Sequence, residues 1–151
     1  MLLAARNLSK TYRRGGIFAR RQSIVAIDNI SFSLAPGVSL GVVGESGSGK
    51  STLLRTILKL TPYDRGSLVF DGKEIAAMGA QAMRTFRRRV QPVFQDPYST
   101  FNPRFSIGSS IGLGLARDEA RTSLQQRDTV ARLLDDVGLD PDLHRALPHE
   151  L

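Results

Sequence analysis

Cysteine is absent from this 151-residue chain, which removes disulfides and thiolate metal sites from consideration and agrees with a reducing compartment. Long apolar runs are missing as well. No stretch approaches the roughly 18 apolar residues of a spanning helix, and the opening MLLAARNLSK has no charged start, apolar centre or cleavage site of a secretory signal. A cytosolic location is expected. Internal repeats, low-complexity tracts and linkers are also lacking. The two histidines, His144 and His149, have no carboxylate or third ligand at metal spacing, so surface or capping roles are expected of them.

What is present suits a single globular domain: 151 residues, 41% of them hydrophobic, can bury a core. The charge is uneven. Residues 1–100 carry 15 Lys/Arg against 6 Asp/Glu, a net of +9, whereas residues 101–151 carry 6 against 8, a net of −2. A run such as Arg87, Arg88 and Arg89 has the chemistry to meet phosphate, nucleic acid or anionic lipid, although such runs are usually solvated faces.

Short β-rich stretches alternate with helical ones, which favours a mixed α/β architecture. LLAARNL and SIVAIDNISFSL read as strands, the second alternating through Val25 and Ile27 and then, after a shift, through Ile30, Phe32 and Leu34. APG turns the chain. VSLGVV (38–43) is apolar on both faces, the pattern of a parallel strand buried on both sides, and a helix is expected over residues 50–60. SLVFDG predicts a strand closed by an Asp71-Gly72 turn, and VQPVFQ (90–95) another short strand. Beyond Gln95 comes a Pro-rich loop, then helical spacing from Ile107. The clearest helix is expected within residues 118–137, with Leu124, Val130, Leu133, Leu134 and Val137 on one face and Gly138 as its stop.

The stretch GESGSGKST (44–52) carries the most chemistry. Its glycines let the backbone come close to a ligand, so that successive N–H groups turn inward and form a concave anion site. The following helix adds its positive end at the same point. Lys50 puts a mobile ammonium on the outer phosphates, and Ser51 offers a hydroxyl to a Mg²⁺ bridging them. Gly44, Glu45, Ser46, Gly47, Ser48, Gly49, Lys50, Ser51 and Thr52 are therefore expected to line a triphosphate. Glu45 lies in the variable part of the loop and Asp96 runs into the loop after Gln95. Neither is placed to polarise water, and no catalytic base is assigned.

A GTPase would need a guanine-reading motif of the N-K-x-D kind, which the sequence lacks; DDVG (135–138) matches D-x-x-G only where Gly138 ends a helix. The segments around the loop choose further. NLSKTY, ISFSLAPGVSLGVVGESGSGKSTLLRTILKL, RGSLVFDGKEI and VQPVFQDPYSTFNPR together resemble the ATP-binding subunit of an ABC transporter. GGIFAR (15–20) and FQDPYSTFNPR (94–104) are similar to the subunits that drive dipeptide and oligopeptide import.

The resemblance implies an α/β P-loop ATPase fold. A nucleotide-binding core with an antiparallel β subdomain would occupy residues 1–95, and the Q-loop with the start of a helical subdomain residues 96–151, an incomplete domain. It implies Tyr12 stacked on adenine, Gln95 reaching the Mg²⁺ and the attacking water, and ATP and Mg²⁺ as cofactors. The partners implied are transmembrane permease subunits and a second ATP-binding subunit, at the cytoplasmic face of the membrane. LPHEL resembles the segment just before the family's signature, so Leu151 is read as falling at that motif's first residue. The later Asp, Glu and switch His are expected outside these residues, leaving the 151-residue chain unable to hydrolyse ATP. An ABC-type ATPase acting on DNA through its basic front half is the alternative, as is a nucleotide-binding fragment without catalysis; the loop after Gln95 favours the transporter, with no nucleic acid as partner.

Overall fold

The computed structural model describes residues 1–14, 22–115 and 123–150. The chain forms two compact units, Met1–Pro92 and Val93–Leu151. GGIFAR and Leu151 lie outside the described residues.

In the first unit, β1 (Leu3–Arg14) and β2 (Gln22–Leu34) form a long antiparallel ribbon, extended by β3 (Arg65–Phe70) and the two-residue β4 (Lys73–Glu74) into a sheet of order β2-β1-β3-β4. The shift read between Ile27 and Ile30 is a bulge. Asn29 and Asn7 take positive φ values of 51° and 50°, a conformation that asparagine tolerates better than most residues, and the β1–β2 register shifts beside each. The two bulges share one chemistry, because Asn-apolar-Ser occurs twice. The Asn7 N–H donates to Ser31 Oγ (2.8 Å) and the Asn29 N–H to Ser9 Oγ (3.0 Å), so each bulge's amide bonds a hydroxyl of the opposite strand. A third irregularity, between Lys10 and Thr11, leaves Ala26 without an opposite residue on β1. Asp71 (φ 49°) and Gly72 (φ 77°) make the expected two-residue turn into β4.

Helix α1 (Lys50–Ile57) packs on the sheet through Leu53 and helix α2 (Ala80–Arg89) through Phe86. The Phe86 ring meets Phe70 edge-on, with centroids 5.1 Å apart. Ala5, Leu8, Ile27, Leu68 and Ile75 complete the buried cluster. The charge run at 87–89 hides a one-sided pattern that makes α2: Met83 and Phe86 pack toward the core, while Arg84, Arg87 and Arg88 are exposed.

Two expected strands are absent. Residues 38–43 and 90–95 form no strand, and Val43 and Val93 are 96% and 94% exposed. A strand buried on both faces exists only between flanking strands. Among the described residues every ladder belongs to the antiparallel sheet, so the apolar pattern has nothing to pair with.

In the second unit, α3 (Ile107–Leu115) and α4 (Ser123–Asp136) share a small core of Ile107, Val130 and Leu134, joined by Ile111, Leu115 and Leu143. The expected face on α4 is narrower than read: Leu124, Leu133 and Val137 are exposed, because only the stripe through Val130 and Leu134 meets α3 and the turn at Leu143. Gly138 does end the helix, its N–H donating to Asp135 O and the Leu139 N–H to Leu134 O, the paired bonds of a Schellman stop. Residues 118–122 of the expected helix lie outside the described residues. Among the described residues no helix is long and apolar enough to cross a membrane.

Candidate functional site

Residues 44–52 bring the chain into α1. Lys50 opens the helix and Gly49 caps it at φ 95° without a side-chain bond. Glycine is required there twice over, since a Cβ at Gly49 would also lie 2.0 Å from the carbonyl oxygen of Ala26. That is the residue left without an opposite partner in the β1–β2 ribbon, so the helix start is seated on an irregularity of β2.

The Lys50 ammonium turns back into the loop. It donates to the carbonyl oxygens of Gly44 and Glu45, both at 2.6 Å, and lies 3.4 Å from Ser48 Oγ. These partners are neutral oxygens, which leaves the full positive charge unpaired by a carboxylate. Ser48 N–H closes the turn onto Glu45 O at 3.2 Å. Among the described residues the N–H groups of Gly47, Gly49, Lys50, Ser51 and Thr52 have no protein partner, and the first turn of α1 holds no acidic residue. Free donors, a helix's positive end and one ammonium thus occur together on an exposed loop. This is the donor set that a polyphosphate needs.

Tyr12 pairs with Ile24 across the ribbon, two residues from the Ala26 on which Gly49 sits. Tyr12 is 39% exposed on the wall of an open groove that Lys10, Arg13, Val25, Tyr63 and Asp64 also line. No residue of 44–52 lines that groove. The ribbon therefore brings Tyr12 and the loop to neighbouring positions along β2, and the groove itself is the work of β1, β2 and residues 63–65.

Gln95 is exposed at a bend in the second unit, whereas Ser51 belongs to the first. The loop after Gln95 is ordered locally, with a 3₁₀ turn at Tyr98–Thr100, Thr100 Oγ1 donating to Pro97 O and Arg104 N–H to Asn102 Oδ1. Tyr98 is exposed. Among the described residues no group of three or more His, Cys, Asp or Glu gathers. His144 instead packs its backbone on Gly108 of α3, its Nδ1 3.0 Å from Pro141 O.

The sequence reading missed an ion pair beneath Tyr12. Lys10, 8% exposed, donates from Nζ to Asp64 Oδ1 at 3.0 Å, while Asp64 Oδ2 accepts the Thr11 N–H at 2.7 Å. The Thr11 amide first, and then the Lys10 ammonium, hold the Asp64 carboxyl below the usual carboxylate range. Spacing held a signal for the lysine alone: Leu8, Lys10 and Tyr12 alternate on one face of β1, and Leu8 is wholly buried.

The family model described as ABC transporter matches residues 27–151. The chain is 38% identical over 149 residues to a Brucella ovis protein named for peptide import, covering 99% of this chain and 45% of that protein. It is 38% identical to the oligopeptide transport ATP-binding protein OppF of Streptococcus mutans (99% and 47%), and 37% identical to the di/tripeptide transport ATP-binding protein DppF of Pseudomonas aeruginosa (98% and 46%). It thus spans about half the length of the curated relatives it matches. Among solved structures it superposes on the ATP-binding cassette MJ0796, a dimer bound to ADP and Pi, with a TM-score of 0.79 at 22% identity over 99% of this chain and 63% of that one. That likeness is one of fold: an α/β cassette of which this chain holds part. With a family match over most of its length, the chain belongs to the ABC transporter family.

Proposed function

We propose that these residues bind Mg-ATP as part of an ATP-binding subunit that powers peptide import. The observation that carries this reading is the loop at 44–52, where unpartnered N–H groups, the start of α1 and the Lys50 ammonium lie together. The names of the relatives supply the peptide. Lys50 moves from the loop carbonyls onto the outer phosphates, the N–H groups of Gly47 and of residues 49–52 cradle the chain of phosphates, and Tyr12 stacks on the base. Ser51 is the oxygen donor that the loop would offer to Mg²⁺, and the family resemblance adds Gln95 as a second. When bound, the nucleotide and its metal supply the phosphoryl group whose cleavage drives transport. Permease subunits in the membrane and a second ATP-binding subunit are the partners of the whole protein, at the cytoplasmic face; residues 95–104, with Tyr98 exposed, form the surface for the permease.

Titrating Mg-ATP into the chain and into Lys50→Ala tests the reading. Loss of one charge-assisted contact is worth about 1.5–3 kcal/mol, so the variant should bind at least about tenfold more weakly with its circular dichroism unchanged. Equal affinities would refute the assignment.

A further inference from the structure

Tyr12 stands near the end of β1, on a ribbon whose register shifts three times. Its ring has a fixed base because Asp64 ties two successive residues of β1. One carboxylate oxygen takes the Thr11 N–H at 2.7 Å and the other the Lys10 ammonium at 3.0 Å. The Asp64 N–H returns a bond to Ser9 O at 2.9 Å. The buried Lys10 ammonium lies 5.5 Å from the centroid of the Tyr12 ring, within range of a cation–π contact. The clamp therefore reaches from the turn before β3 to the aromatic ring through one side chain. Asp64 sits outside the 44–52 loop, and its hydrogen bonds go to Ser9, Lys10 and Thr11.

We infer that Asp64 is a positioning residue for base recognition: by clamping Lys10 and Thr11 it sets the Tyr12 ring, and so the part of the affinity that comes from the base and not from the phosphates. The inference rests on the proposed nucleotide site. It separates two contributions that a single ATP affinity merges, the stack on Tyr12 and the cradle at 44–52. A base stacked on an aromatic ring contributes about 5- to 150-fold in affinity. A ring left to wander should forfeit much of that.

The experiment measures dissociation constants for Mg-ATP and for Mg-tripolyphosphate, which has the phosphates and no base, on the full chain and on Asp64→Asn, Asp64→Glu, Tyr12→Ala and Lys50→Ala. Asp64→Asn keeps the size and one acceptor and removes the charge that holds Lys10. Asp64→Glu keeps the charge and displaces it by one methylene. The expected result is a loss of about fivefold or more in ATP affinity for Asp64→Asn, tripolyphosphate affinity unchanged within about twofold, and the same selectivity change for Tyr12→Ala. Asp64→Glu should fall between. A purely structural role would weaken both ligands together, and that outcome, or no change in either, overturns the inference. Should Asp64→Asn not fold, the comparison passes to Asp64→Glu, with the same two outcomes. If the unmutated chain binds neither ligand, the nucleotide site itself is refuted. If it binds both and Lys50→Ala binds neither while the Asp64 variants match the parent, the inference about Asp64 alone is refuted.

Discussion

Replacing Gly49 by alanine tests how the loop is seated on the sheet. The substitution places a Cβ on a residue at φ 95°, and that atom would fall 2.0 Å from Ala26 O and 3.2 Å from Ala26 C. The first effect costs about 1–2 kcal/mol, the penalty of a left-handed conformation for an L side chain. The second is an overlap with backbone, which no rotamer change relieves, and adds about 1–3 kcal/mol. A total of about 2–5 kcal/mol is a large share of the 5–15 kcal/mol that holds a domain of ordinary stability. With a urea slope of about 1.5 kcal/mol per M, the unfolding midpoint should fall by roughly 1–3 M. Two neighbours supply the controls. Gly47 has φ 83° but open space where its Cβ would go, so Gly47→Ala should show the conformational penalty alone. Gly44 meets only the Ser48 side chain, with Oγ at 2.7 Å, and a hydroxyl can swing away. Urea melts followed by circular dichroism should rank the losses Gly49, then Gly47, then Gly44. If Gly49→Ala proves as mild as Gly44→Ala, the loop is not seated on Ala26.

Tyr63 gives a prediction at alkaline pH. Its hydroxyl donates to Glu74 Oε1 at 2.6 Å, and burial, followed by that bond, pushes its pKa up to about 12. A raised folded value means that the stabilisation is whole below the unfolded pKa of about 10 and disappears as pH climbs toward about 12. Thermal midpoints measured from pH 8 to 12 should therefore fall across that window, and fall less in Tyr63→Phe; parallel curves would contradict the assignment. Phosphate release from Mg-ATP by this 151-residue chain should match that of Lys50→Ala, because neither Glu45, in the variable part of the loop, nor Asp96, after Gln95, is placed by the motif to polarise water, and water activation must act together with phosphate positioning. Clearly faster release from the unmutated chain would reveal a base within these residues.

Local chemistry was legible in the sequence wherever it is set by a few adjacent residues. GESGSGKST foretold the turn into α1, Asp71-Gly72 the hairpin, Gly138 the helix stop, and the broken alternation after Ile27 the bulge at Asn29. Each depends on backbone geometry that neighbouring side chains dictate. Misreadings arose where a pattern states a demand that something distant must meet. VSLGVV has the composition of a buried strand and VQPVFQ that of a short one, and composition cannot supply the neighbours that make a ladder. Helix α2 was hidden by three successive arginines, whose charge drew the eye from Met83 and Phe86. The Lys10–Asp64 pair joins residues 54 apart in the chain, a distance across which one sequence without relatives gives no coupling.

Residues 38–43 lead straight into the loop at 44–52, and Val38, Leu40, Val42 and Val43 are all exposed. Six consecutive residues without charge or proline, rich in valine, are the composition of a steric zipper. Self-association through this segment would order the residues before Gly44 in a stacked, extended form and crowd neighbouring copies of the 44–52 loop together. A polyphosphate held at 44–52 would occupy the space beside such a stack, and it is therefore expected to slow the association of this segment.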